Sequence, residues 1–391
     1  MPAFDNELAQ IVADLNRAAR VSREATQVSE ESSASLDNLL QLAERRGASD
    51  VLLIAGAPVG LRVNGVLSTN AGAALTGDDT RSLMLPLLTP AQHQALQKSK
   101  SADLCFTRPG IGRFRANVHY QRGTLAGSIR LLPEKIPSLE SLNLPAGLRK
   151  FAEARQGLVL ITGPTGCGKS STLAALIDLI NTQRRDHILT IEDPVEYVHS
   201  NRTSIVEQIE IGSDAPDFAS SIRSILRQTP DVILVGEMRD QETIATALTI
   251  AETGHLVLSA LHTNDTSQAV SRILDSFPSG NQPQIRQQLS LSLLAIVAQQ
   301  LVPAAGGQTG AGHAPGRYPA IEIMIATHGV RSLIRKGEDH QIYSAIGTGR
   351  AAGMITMEQS LAELVRAGRI TRDTAMAHCF RLEDLKRYLQ E

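Results

Sequence analysis

The stretch Gly163-Pro164-Thr165-Gly166-Cys167-Gly168-Lys169-Ser170-Ser171 fits the phosphate-loop pattern GxxxxGK[ST]. Its flanks support the same reading. Residues 157–162 form an apolar run of strand length, and residues 171–180 have helical spacing. The glycines let successive backbone N–H groups turn inward as an anion nest. The following helix adds unsatisfied donors and the positive end of its dipole. Lys169 can reach the outer phosphates of a nucleotide, and Ser170 can ligate Mg²⁺. ATP and Mg²⁺ are therefore the expected cofactors, cradled by residues 163–171.

From Leu148 onward, strand and helix patterns alternate, which predicts a mostly parallel sheet covered on both faces. Ligands gather at the carboxyl ends of such strands. The residues that follow each apolar run are then the informative ones. Glu192, Asp193 and Glu196 follow residues 187–191, Gly236 and Glu237 follow residues 232–235, and His262 and Thr263 follow residues 256–261. Glu237 stands where a carboxylate completes a Mg²⁺ shell. One of Glu192, Asp193 and Glu196 can polarise an attacking water. Pro194 stops the strand and favours Glu196, with Glu192 second. His262 is placed to sense the terminal phosphate. His255 begins the same strand, roughly 20 Å away at strand rise, so the two histidines cannot share a metal.

Upstream, residues 36–132 read as a small α/β domain on an antiparallel sheet. A hairpin signal lies at Asn64-Gly65, and residues 113–121 alternate cleanly. Residues 80–98 read as helical, broken at Pro86 and Pro90. Residues 1–35 read as a flexible extension with a short helix around Leu8, Ile11, Val12 and Leu15. Prolines 133, 137 and 145 stiffen a linker over 133–147. Residues 304–316 are Gly/Ala-rich and read as a mobile loop, and 317–391 as a mainly helical part in which Thr356 and Gln359 form a capping box.

Composition narrows the function classes. Net charge is −2, aromatics are 3% and Trp is absent, which argues against stable nucleic-acid binding. The three cysteines are far apart with no CxxC, so neither a zinc site nor a disulfide framework is suggested, and the cytoplasm is the expected compartment. Cys167 lies beside a helix N-terminus, where a thiolate is stabilised, but a neutral Ser-to-Cys exchange is the favoured reading.

Jointly these motifs resemble the secretion-type ATPases, most closely the PilT-like type IV pilus retraction motors. Residues 190–196 resemble that family's Asp box, 233–244 its Walker B signature and 251–263 its His box. The resemblance implies a RecA-like P-loop core over 148–303, a PAS-like domain over 36–132 and C-terminal helices over 317–391. It implies a homo-hexameric ring working on an inner-membrane pilus platform protein, cytoplasmic and peripheral at that membrane. It also implies Glu196 as catalytic glutamate, Glu237 as the Walker B glutamate, and His255 and His262 as the His-box pair. Phosphoryl transfer benefits from added positive charge, and the core offers no obvious arginine for it. Arg113 and Arg130 are therefore expected to act on a neighbouring subunit's nucleotide, ahead of Arg115 and Arg122. The alternatives are a pilus-assembly or protein-export ATPase and, from another class, a nucleic-acid ring motor.

Overall fold

The computed structural model describes residues 28–390 apart from 64, 70–71 and 308–315. The helix expected near Leu8, the Asn64 corner of the hairpin and most of the 304–316 loop lie outside the described residues. The chain divides into two compact units, with the boundary between Glu134 and Lys135.

The first unit opens with α1 (Val28–Arg45), which begins inside the segment read as an extension. Strands β1 (Ala48–Ile54), β2 (Gly60–Val63) and β3 (Val66–Thr69) follow. Two helices come next, α2 (Gly77–Met84) and α3 (Pro90–Ser99). The helical stretch is broken at Pro86 and Pro90 as expected, and Pro90 starts α3: its missing N–H is one the first turn leaves unbonded, and Thr89 with Gln92 closes a capping box. Strands β4 (Ser101–Arg108), β5 (Gly112–Gln121) and β6 (Thr124–Leu132) complete an antiparallel sheet in the order β3-β2-β1-β6-β5-β4. One sheet face is apolar. Phe114, Ala116, Val118, Ile129 and Val51 bury against Leu36, Leu39 and Leu40 of α1 and Met84 of α2. The other face carries Arg113, Arg115 and Arg130. Arg115 pairs directly with Arg130 across β5 and β6, so all three point the same way. Arg130 Nε donates to Asp50 Oδ1 at 2.9 Å while its side chain stays 63% exposed. Arg122 sits in the β5–β6 turn at φ 47°, off that face.

The second unit contains α4 (Arg149–Glu153), β7 (Gly157–Thr162), α5 (Lys169–Gln183), β8 (His187–Glu192), β9 (Ile205–Glu210) and α6 (Phe218–Ile225). It continues through β10 (Val232–Val235), α7 (Gln241–Glu252), β11 (Leu256–Leu261), α8 (Thr266–Asp275) and α9 (Gln282–Ser292). β12 (Leu293–Pro303) and β13 (Arg317–Ile325) follow. Its sheet runs β13-β12-β7-β11-β10-β8-β9, parallel throughout except for β13. Alternate residues of each central strand feed opposite cores. Leu158 and Leu160 meet α7 to α9, while Val159 and Ile161 meet α4 and α5. That two-sided burial explains why these strands read as unbroken apolar runs.

Residues 317–391 are mainly helical as expected, except that 317–325 form the last strand of the sheet. Beyond them lie α10 (His328–Lys336), α11 (Ile342–Thr348), α12 (Met357–Arg366), α13 (Arg372–His378) and α14 (Leu382–Gln390). Thr356 caps α12 with Gln359 as its spacing predicts. Gln300 Nε2 of β12 donates to the carbonyl of His378 at the end of α13, 2.9 Å away.

The parallel order brings the ends of β7, β8, β10 and β11 to one sheet edge. Thr162 fixes two of those ends together. Its hydroxyl accepts from the N–H of Thr263 at 3.0 Å and lies 2.7 Å from the Thr263 carbonyl. Thr162→Val keeps the shape and leaves the buried Thr263 N–H unpaired, so it should destabilise the fold by about 1–3 kcal/mol in urea unfolding. An unchanged midpoint and slope would show that this tie contributes nothing.

Candidate nucleotide site

The phosphate loop closes on itself. Gly163 has φ 146°, and a Cβ there would sit 2.2 Å from the carbonyl oxygen of Gln299 on β12. Gly168, at φ 91°, is the N-cap of α5, so Lys169 is the first helical residue and Ser170 and Ser171 occupy the first turn. Gln299 braces the loop from the neighbouring strand. Its Nε2 donates to the carbonyl of Cys167 at 2.7 Å, and its Oε1 accepts from the Thr172 hydroxyl at 2.9 Å.

Lys169 is buried, and its Nζ donates to the carbonyls of Gly163 at 2.8 Å and Pro164 at 3.0 Å. Burial lowers its pKa, because neutral carbonyls replace only part of the lost hydration. His262 Nδ1 lies 3.5 Å from Nζ, and its Nε2 lies 3.4 Å from Glu237 Oε2. A nitrogen facing an ammonium accepts, so the hydrogen belongs on Nε2, which then donates to Glu237. Burial, followed by the Lys169 charge, pushes the imidazole pKa down and keeps this tautomer neutral. Glu237 also forms an ion pair with Arg239. Lys169, His262 and Glu237 thus form one connected cluster across β7, β11 and β10.

The acidic side of the site lies at the end of β8. Burial pushes the Glu192 carboxyl up to about 7, against the donors Thr190 Oγ1 at 2.7 Å and Gln208 Nε2 at 3.1 Å, and the charge of Glu196 pushes the same way. Val195 and Tyr197 are buried and Asp193 is exposed, while Glu196 between the buried pair is half-buried and within electrostatic reach of Lys169. The Tyr197 hydroxyl lies 2.8 Å from Ser171 Oγ.

Cys167 is 3% exposed, and burial raises its thiol pKa despite the nearby Lys169 charge, in keeping with the neutral Ser-to-Cys exchange rather than a stabilised thiolate. His255 stands at the far end of β11 with Nδ1 3.2 Å from the carbonyl of Ile250, away from the phosphate loop. Arg113 and Arg130 belong to the first unit, where they share one sheet face.

Gln299, Gln208, Tyr197 and Arg239 contact this arrangement and were not singled out by motif reading. Gln299 did leave a signal: Gln299-Gln300 is a polar pair inside the apolar run from Leu293 to Val302. Among the described residues, no group of three or more His, Cys, Asp or Glu side chains is arranged to hold a metal, and no helix is long and apolar enough to cross a membrane.

A family model described as Type II/IV secretion system protein matches residues 141–378. The chain is 39% identical over 350 residues to the type IV pilus ATPase PilU of Pseudomonas aeruginosa, covering 90% of each chain. It is 40% identical over 340 residues to the type IV pilus retractation ATPase PilT of the same organism, covering 87% of this chain and 96% of the relative. Among solved structures it resembles the pilus retraction motor PilT with bound ADP, with a TM-score of 0.82 and 41% identity over 90% of this chain and 98% of the other.

The raised pKa of Glu192 makes a stability prediction with a definite sign. Between the ordinary value of 4.5 and about 7, the folded chain keeps a proton that the unfolded chain has released. The associated stability is fully present below about 4.5 and is lost as pH rises through about 7. Glu192→Gln keeps an acceptor for Thr190 and Gln208 but cannot ionise. Its stability relative to the unsubstituted chain should therefore rise by about 3 kcal/mol from pH 4 to pH 8. Parallel urea titrations across that range check this, and a flat difference contradicts it.

Proposed function

Because this chain belongs to the type II/IV secretion system protein family, we propose that it is a cytoplasmic ATP-hydrolysing motor that powers type IV pilus retraction. It works as a homo-hexameric ring on an inner-membrane pilus platform protein, peripheral to that membrane. The observation that carries this reading is the Lys169–His262–Glu237 cluster at the phosphate-loop edge, in a chain so similar to a retraction motor solved with bound ADP.

ATP places its phosphates in the nest of backbone N–H groups between Gly163 and Ser171. Lys169 exchanges its two carbonyl partners for phosphate oxygens. The donors suit Mg²⁺, which Ser170 would hold through its hydroxyl and Glu237 through its carboxylate. When bound, the ion neutralises charge on the outer phosphates. Glu196 orients the attacking water and takes its proton as the water oxygen bonds to the γ-phosphorus and the bond to the bridging β–γ oxygen breaks. His262, neutral and joined to both Lys169 and Glu237, senses whether the γ-phosphate is present. Arg113 and Arg130, on one open sheet face, add positive charge at the nucleotide of a neighbouring subunit, as a closed head-to-tail ring allows.

Two experiments test this reading. Lys169→Ala should abolish nucleotide binding, whereas Glu196→Gln should bind ATP normally and lose ~10²–10⁴ in turnover. Normal hydrolysis by Glu196→Gln together with loss in Glu192→Gln would move the base to Glu192. Mixing inactive Arg130→Ala with inactive Lys169→Ala subunits should restore part of the activity, since some interfaces then join an intact arginine to an intact phosphate loop. Co-assembled but inactive mixtures would refute action between subunits.

A further inference from the structure

We infer that Tyr197 and Gln208 are positioning residues that set Glu196 against the phosphate loop, an inference that rests on Glu196 as the group that polarises the water. Glu196 lies on the irregular segment 193–204, which joins the parallel strands β8 and β9 without a helix. Backbone of this kind drifts unless side chains hold it. A water lined up on a phosphorus atom tolerates little drift, because about 1 Å of misplacement costs on the order of 10² in rate.

The segment is held on both sides of Glu196. On one side the N–H of Val195 donates to Glu210 Oε2 at 3.0 Å. On the other, Gln208 uses both ends of its amide. Its Nε2 donates to the carbonyl of Tyr197 at 2.9 Å and to Glu192 Oε1 at 3.1 Å, and its Oε1 accepts from the N–H of His199 at 2.8 Å. Val195 and Tyr197 bury their side chains, so Glu196 is fixed as the residue between two anchors.

These bonds tie the segment to its own strands and do not reach the nucleotide. The link that does is the hydroxyl of Tyr197, 2.8 Å from Ser171 Oγ. Ser171 lies in the first turn of α5, next to Ser170 and three residues after the loop's last glycine. The phosphates anchor that turn when ATP binds. Tyr197 therefore references the position of Glu196 to the element that holds the phosphates, and Gln208 keeps Tyr197 in place from behind.

Tyr197→Phe is the sharpest test, because it keeps the buried ring and deletes one hydroxyl. Turnover should fall about tenfold with the KM for ATP and the thermal midpoint unchanged. Gln208→Glu keeps the acceptor for His199 but loses both donors, and should lower kcat at least as far. In a Ser171→Ala background, Tyr197→Phe should cause no further loss, because the same bond is already gone. Wild-type kcat in Tyr197→Phe, or an undiminished loss in the Ser171→Ala background, would overturn the inference. Glu196→Gln is assayed alongside. If it hydrolyses ATP normally, the reading of Glu196 is what fails. If it is inactive while Tyr197→Phe is unimpaired, the bridge is what fails.

Discussion

The ammonium of Lys169 is largely removed from water and held by two carbonyl oxygens and an imidazole nitrogen. Such dipoles only partly replace hydration, so the site holds a cation whose natural complement is an anion. Much of the surrounding structure maintains that condition. Thr162 joins the end of β7 to the start of the His262 loop, Gln299 holds the loop backbone at Cys167, and the glycine at 163 lets the β12 carbonyl approach. Glu237 sits one imidazole away from Lys169, so its charge is near enough to favour the ammonium without a direct bond to it.

The sequence was most informative where burial is two-sided. β7, β10 and β11 are buried at every position and mostly apolar, and a run of that kind followed by polar residues marks both the strand and its ligand-facing end. Lys169, Glu237 and His262 were visible for that reason. The site is harder to read where strands are exposed or partners are distant. β9 is an edge strand whose glutamates interrupt its apolar positions, so Gln208 carried no pattern. Gln299 lies more than a hundred residues from the loop it braces, and no spacing rule connects them. Strand β13 follows a Gly/Ala-rich stretch and was grouped with the helices that come after it. At Cys167 tertiary burial outweighs the local effect of the helix N-terminus and raises the thiol pKa, in keeping with a neutral Ser-to-Cys exchange.

The first unit follows simpler rules. Alternation along β5 puts its apolar residues against α1 and α2 and leaves a charged face on the other side. Cross-strand register, which sequence alone does not give, places Arg115 opposite Arg130 and Arg130 opposite Asp50. Asp50 sets the direction of one guanidinium while leaving most of it in solvent, so the face keeps net positive character in a chain that is nearly neutral overall.

β12 carries two glutamine amides in succession, and neighbours on a strand point to opposite faces. Gln299 grips the backbone of the phosphate loop and Gln300 grips the end of α13. An extended strand locked into a seven-stranded sheet behaves as a stiff rod with a hook on each side. The phosphate loop and the end of α13 are thereby fastened to adjacent residues of one strand.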